Sequence, residues 1–183
     1  MKKGRSMKIL KKITLLTFIF LYAGNIFGQK VKIVSVENYI SKCLYNFSWY
    51  VNWPDQNKGG EFVFVIVGDS KVYDELTQVT ANKKVGLQTI KVVYFDKIEE
   101  IDNFCHVVFL AEWQSSRTDK VLEKIGNKNT LIITQKEGGA PNGSAINFFP
   151  KDGTMQFEII KSNAVALGLQ VSSRLENMAY RSL

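Results

Sequence analysis

The chain has 183 residues, of which 45% are hydrophobic and 22% are charged, and its formal net charge is +7. This composition is that of a folded globular protein, and the length suits one domain with its own hydrophobic core. Six basic residues and no acidic residue lie within the first 12 positions, so loss of that segment would reduce the net charge to +1. The remaining chain is nearly neutral, which argues against nucleic-acid binding, because that function needs a clustered basic face.

The amino-terminal segment, residues 1–28, has the three parts of a secretory signal peptide. Its basic start is followed by an apolar run at residues 13–23, and Gly28 supplies a small residue at the expected cleavage site. The apolar run is shorter than the roughly 20 residues that a membrane span needs, so an uncleaved anchor is the weaker alternative. We therefore expect a periplasmic mature chain, residues 29–183, that forms one domain and is not inserted in the membrane.

In chain order, the hydrophobic pattern predicts an amphipathic helix first, over residues 34–53, which Pro54 ends. A continuous apolar run at residues 62–68 then predicts a strand buried on both faces, as in a parallel sheet. The alternation continues with helices at residues 72–81 and 115–126 and with strands at residues 89–95, 106–110 and 130–134. Such alternation is typical of βαβ units.

The pattern changes after residue 138. Two strand-like runs at residues 145–149 and 154–160 flank Asp152 and Gly153, which predicts a β-hairpin. Residues 162–179 then predict one C-terminal helix, whose small residues at its start suit close packing within the chain or, as an alternative, a homodimer contact. The expected fold is α/β: a single three-layer domain with a mostly parallel central sheet, a late β-hairpin and a C-terminal helix.

The stretch FCHVVFLAEW, residues 104–113, contains the only histidine beside one of the two cysteines. His106 lies at the amino end of its predicted strand, whereas open α/β sheets bind ligands at the carboxyl ends. A structural histidine next to a buried Cys105 thiol is therefore favoured over a nucleophile and its base. Cys43 and Cys105 could form a disulfide in an oxidising compartment if their α-carbons lie within about 7 Å.

Other kinds of catalytic or cofactor site find no support in the sequence. One histidine and two distant cysteines are not a usual zinc ligand set. The chain has no G-x-S-x-G nucleophile motif and no glycine-rich cofactor loop in G-x-G-x-x-G order. We therefore expect no catalytic residues, no metal and no cofactor.

Two groups of residues are candidates for binding. An aromatic stripe outside the core face of the first predicted helix suits a protein contact, with burial on both sides of that helix as the alternative. A polar group at or just past the carboxyl ends of predicted strands would line a small-ligand crevice, with helix capping or loop solvation as the alternative. The stripe comprises Tyr45, Trp49 and Trp53, and the polar group comprises Asp69, Ser70, Glu112 and Gln135.

Five segments, in this order, carry a family pattern: KCLYNFSWYVNWP (42–54), FVIVGDS (64–70), CHVVFLAE (105–112), GSAINFF (143–149) and MQFEIIKSNAVALGLQVSSRLENMA (155–179). Together they resemble the YfiR-like family of small periplasmic proteins, the DUF4154 domain. The resemblance implies a compact α/β domain without an enzymatic role. It also implies a regulator that binds the periplasmic portion of a membrane signalling protein, of the diguanylate cyclase or histidine kinase type.

The chain departs from this family in its cysteines. Relatives often carry a first-strand cysteine that bridges to the one before the histidine, whereas this strand has Val63, Val65 and Val67. The resemblance therefore does not imply redox control through that bridge. A small-ligand-binding periplasmic protein is the second functional hypothesis, and a hydrolase or thiol enzyme using Cys105 and His106 is the third.

Overall fold

The computed structural model describes residues 35–102, 104–126 and 129–183. The predicted signal peptide, residues 1–28, lies outside these residues. Within the described part of the chain, no helix combines the length and the apolar character needed to cross a membrane.

Five helices and ten strands form the described structure. The helices are α1 (Val36–Tyr50), α2 (Ser70–Thr80), α3 (Thr118–Ile125), α4 (Lys161–Ala166) and α5 (Ser173–Glu176). The strands are β1 (Val51–Asn52), β2 (Glu61–Val67), β3 (Lys84–Val85), β4 (Gln88–Phe95), β5 (Val107–Leu110), β6 (Leu131–Gln135), β7 (Ile146–Lys151), β8 (Thr154–Ile159), β9 (Gln170–Val171) and β10 (Arg181–Ser182).

Eight strands form the main sheet in the order β10-β8-β7-β6-β5-β2-β4-β3. The pairs along β7-β6-β5-β2-β4 are parallel, and the β7–β8 pair is the late antiparallel hairpin. The crossovers from β2 to β4 and from β5 to β6 run in opposite directions along the sheet, so right-handed connections place α2 and α3 on opposite faces. The predicted α/β class with a mostly parallel sheet and a late hairpin is confirmed.

One part of the core lies between α1 and the sheet. Ser35 caps α1 by accepting a hydrogen bond from the Asn38 amide, and the helix buries a stripe at Ile40, Leu44 and Phe47. The Phe47 ring contacts two rings of the β7–β8 hairpin, with centroids 5.9 Å from Phe148 and 4.9 Å from Phe157. The helical spacing in the sequence therefore identifies the face of α1 that packs against the sheet.

The first helix is shorter than predicted. It ends at Tyr50, because Val51 adopts an extended conformation and pairs with Val171 in the separate β1–β9 sheet. The Ser172 amide also donates to the Tyr50 carbonyl at 2.9 Å. Long-range pairing thus ends the helix three residues before Trp53 and four before the proline.

The prediction of one helix over residues 162–179 is wrong. Helix α4 ends at Ala166, and Gly168 has a φ of +72°, a left-handed conformation that favours glycine. A Cβ at this position would clash with the side-chain amide of Asn129, which donates to the Leu167 carbonyl. The small size of Gly168 therefore serves a contact within the chain. Strand β9 follows, and Ser172 caps the short helix α5.

The buried carboxylate of Glu158 links the last two strands at the hairpin edge of the sheet. Glu158 in β8 is 1% exposed and accepts hydrogen bonds from Asn147 Nδ2 at 2.8 Å and from Arg181 Nε at 2.6 Å. A buried carboxylate needs such partners, because its desolvation is costly. The pair with Arg181 therefore fixes β10 to the edge of β8.

Candidate functional site

His106 lies immediately before β5, at the edge of the sheet where β2, β4 and β5 begin, which we call the amino rim. Its Nδ1 accepts a hydrogen bond from the Val63 amide at 3.1 Å. A backbone amide can only donate, so Nε2 carries the proton and donates to the Asn57 carbonyl at 2.7 Å. The side chain thereby joins β2 to the 3₁₀ turn Asp55–Asn57, and both ring nitrogens are used.

Aromatic rings surround this imidazole, which is only 2% exposed. It stacks on Phe62 with ring centroids 4.3 Å apart, and the rings of Phe104 and Trp53 meet it edge-on at 4.8 and 6.1 Å. Burial lowers the pKa of His106 below its ordinary value of 6.5, an effect that the hydrogen bond to Asn57 partly opposes. The ring is therefore neutral at pH 7 and acts as a connector between segments.

The two cysteines are free thiols in this structure. Burial raises the pKa of Cys105 to about 12 and that of Cys43 to about 11, so neither is a thiolate at neutral pH. Among the described residues, no cluster of three or more His, Cys, Asp or Glu could hold a metal ion. The neighbouring Cys105 and His106 therefore supply neither an activated nucleophile nor a free base, and a Cys43–Cys105 bridge stays a prediction for an oxidised state.

The polar residues predicted to line a crevice lie at the opposite edge, the carboxyl rim, where β2, β5 and β6 end. Asp69 Oδ1 caps α2 by accepting from the Lys71 and Val72 amides, both at 3.0 Å. Ser70 and Glu112 are exposed. The backbone N–H of Gln135 donates to Ser115 Oγ at 3.0 Å. The structure thus places all four on one edge, as strand order requires, and Asp69 is used as a cap.

Trp113 covers the end of β2 at this carboxyl rim. Its indole Nε1 donates to the Gly68 carbonyl at 3.1 Å, and a Cβ on Gly68 would lie 2.8 Å from the ring. Gly68 also has a φ of +82°. The glycine therefore meets two requirements at once, a left-handed turn and a close approach of the indole, neither of which the sequence revealed.

The predicted aromatic stripe is divided by the end of α1. Trp49 is 52% exposed, whereas Trp53 lies beyond the helix and is 5% exposed. Tyr45 is half-buried: its hydroxyl donates to the Lys84 carbonyl at 3.4 Å, and Lys83 Nζ lies 4.6 Å from the centre of its ring. The three aromatics therefore do not form one outward face, and Trp49 is the member that is open to solvent.

A pocket of about 380 Å³ opens at the amino rim, between the end of α1 and the β3–β4 hairpin. Its walls and floor are mostly apolar and comprise Trp49, Val51, Trp53, Phe62, Val85 and Leu87. Leu87, at the tip of the hairpin, is 94% exposed. Neither this hairpin nor this pocket was predicted from the sequence, in which the only local signal is a glycine between Val85 and Leu87.

The fold and the two rims define a small α/β domain whose histidine and cysteines are built into the scaffold. A family model described as DUF4154, YfiR/HmsC-like, matches residues 39–180, and the chain belongs to this family. Proteins of this family are regulatory rather than catalytic and act in the periplasm. No curated protein matches the chain.

Proposed function

We propose that the protein is a non-enzymatic periplasmic regulator that binds the periplasmic portion of a membrane signalling protein. The expected partner is a diguanylate cyclase or a histidine kinase. The observation that carries this proposal is the family match over residues 39–180, which spans nearly all of the described domain. The predicted signal peptide at residues 1–28 supports the location, because it would deliver the mature chain to the compartment in which such a receptor portion lies.

The state of the chemical groups supports a role without catalysis. Catalytic nucleophiles need a lowered pKa or an adjacent base with a free nitrogen. Cys105 has a raised pKa, and both nitrogens of His106 are bonded to backbone groups. Loss of these side chains would therefore act through stability.

We propose that the partner surface is centred on Trp49. Trp49 and Leu87 are large apolar side chains that are 52% and 94% exposed, and they line the same pocket. Tryptophan is enriched among residues that dominate binding energy, and exposed apolar groups around a depression are typical of contact surfaces. Tyr45 would flank this surface, and Trp53 would support it from beneath.

The test is site-specific photo-crosslinking in the native cells. A photoreactive phenylalanine analogue replaces Trp49 in the full chain, and the same analogue replaces Trp113 as the matched control, since both positions are exposed tryptophans on different rims. We expect position 49, and not position 113, to crosslink to a membrane protein that carries a cyclase or kinase domain. A second copy of this chain captured at position 49 would favour a homodimer surface instead. Absence of any membrane-protein adduct at either position would contradict the proposal.

A further inference from the structure

The pocket at the amino rim has the dimensions of a small-molecule site. Its volume of about 380 Å³ falls within the range of roughly 300 to 1,000 Å³ that is typical of ligand pockets, and its walls are mostly apolar, as such pockets require. Phe62, at 1% exposure, and Val85, at 9%, are held by the core, so the floor is already formed. Trp49 and Leu87 form more exposed walls.

Trp53, which lines the pocket, carries a buried hydrogen-bond donor without a partner in the described part of the chain. Its indole Nε1 is buried and has no hydrogen-bond partner among residues 35–102, 104–126 and 129–183. Buried polar groups almost always have a partner, so the unpaired indole N–H can take an acceptor from a bound ligand; the one other buried side-chain atom without a partner among the described residues is Asn57 Oδ1. Because this nitrogen is covered, we expect binding to turn an exposed wall residue aside, and Trp49 and Leu87 have the exposure to do so.

The charge of the residues that line the pocket favours a negatively charged acceptor group on the ligand. Lys58 is the only charged side chain among the described residues that line the pocket. Its ammonium pairs with Asp55 at 2.8 Å, but the Asp55 side chain is 96% exposed, and a surface pair of this kind holds its members weakly. The ammonium is therefore available to a bound anion.

Gln88 supplies the pocket with a hydrogen-bond acceptor of fixed orientation. Its Nε2 donates to the carbonyls of Asn57 and Gly59 at 3.2 and 2.9 Å, so the amide hydrogens are used and the orientation of the side chain is set. Its oxygen can accept a hydrogen bond from a ligand hydroxyl or N–H. The pocket thus combines one unused N–H, one ammonium and one amide oxygen with an apolar surface.

We propose that this pocket binds a small carboxylic acid with an apolar ring or chain. The apolar body lies against Phe62, Val85 and the walls, and the carboxylate accepts the Trp53 N–H and lies beside the Lys58 ammonium. This site shares Trp49 and Leu87 with the proposed partner surface, but it goes beyond the proposed regulatory function because it assigns a small-molecule ligand to the pocket. It can be tested without the membrane partner.

The test uses two probes with the same ring and opposite charge, 2-naphthoate and 2-naphthylmethylammonium. Their affinities for the purified protein are measured by calorimetry, and the binding position is mapped by amide NMR shifts. We expect 2-naphthoate to bind at least about tenfold more tightly, with shifts at the β3–β4 hairpin. Equal affinity of the two probes, or no saturable binding of 2-naphthoate at millimolar concentration, would overturn the proposal.

Variants identify the groups that bind. Trp53→Phe keeps the ring and removes the donor, and it should weaken 2-naphthoate binding at least about fivefold. Trp113→Phe, the matched control on the other rim, should leave the affinity unchanged. Leu87→Asp places a carboxylate at a 94% exposed position, where folding is spared, and should also weaken binding. If both Trp53→Phe and Leu87→Asp bind as the parent does, the probe lies elsewhere and the proposal fails.

Discussion

The amino and carboxyl rims of the parallel strands differ in how their polar groups are used. At the amino rim, His106 is fully engaged in holding the Asp55–Asn57 turn, yet a pocket with an unpaired Trp53 donor opens beside it. At the carboxyl rim, Asp69 is engaged in capping α2 and Trp113 lies against Gly68. The His106 contacts and the Trp113–Gly68 contact both join distant segments, and only the Asp69 cap is local. The rims therefore differ in the open space that remains beside these contacts, which is found at the amino rim.

The difference between the rims shows which features the strand-end rule for α/β sheets predicts and which it does not. The rule follows from topology and from helix amino ends, and it correctly places Asp69 and Glu112 together on one edge. It does not determine whether space remains between them, because one bulky side chain such as Trp113 can occupy it. Open apolar space arises in this domain where the β3–β4 hairpin stands away from α1.

The largest effect is expected from His106→Ala at the amino rim. The substitution leaves the Val63 amide and the Asn57 carbonyl without partners and creates a cavity, so the free energy of unfolding should fall by about 3 kcal/mol. Asp69→Ala at the carboxyl rim removes one helix cap and should cost about 1 kcal/mol. Urea denaturation measures both. A larger loss for Asp69→Ala would reverse the comparison between the rims.

An intermediate effect is expected from Gly68→Ala, which tests the contact with Trp113. The new Cβ meets the indole at 2.8 Å on a backbone with φ +82°, and the free energy of unfolding should fall by about 2 kcal/mol. Gly60→Ala is the matched control, because Gly60 has φ +67° and nothing within 4 Å of its built Cβ. The free energy of unfolding of Gly60→Ala should fall by about 1 kcal/mol. Equal losses in thermal melts would show that the indole moves aside without cost.

The smallest effect is the pH dependence that His106 imposes. Its pKa is lowered on folding, so the unfolded chain binds the proton more readily, and this contribution to stability is present above pH 6.5 and is lost as the pH falls. Between pH 7 and 5.5 the free energy of unfolding should fall by up to about 1.2 kcal/mol. Urea midpoints across this range measure it, and the single histidine simplifies its assignment. NMR titration of the imidazole near pH 6.5 in the folded protein would refute the mechanism.

Sequence patterns predicted most of the fold because they report local physics. The apolar run at residues 62–68 became β2, the spacing of Ile40, Leu44 and Phe47 marked the buried face of α1, and Asp152-Gly153 marked the hairpin. The placement of His106 at the amino end of β5 followed from the same reading. These features depend on residues that are close in sequence.

The candidate site was less predictable, because its parts come from distant segments. Nothing local indicates that Asn57 and Val63 will bond to His106, or that Trp49 stays exposed while Trp53 is buried. Leu87 lies in a short apolar turn whose exposure depends on β3 being the edge strand of the sheet. The surface and the pocket therefore required tertiary structure.

By itself, the sequence determined the alternation of strands and helices, the α/β class and the family. It also predicts the secretory signal peptide. Only the tertiary structure decided where α1 ends, that residues 162–179 divide around Gly168, and which rim carries the pocket. The physical reason is that periodicity and capping act over one or two helical turns. The pairing of Val51 with Val171, by contrast, joins segments that are far apart in the sequence, and the helical spacing within either segment does not predict it.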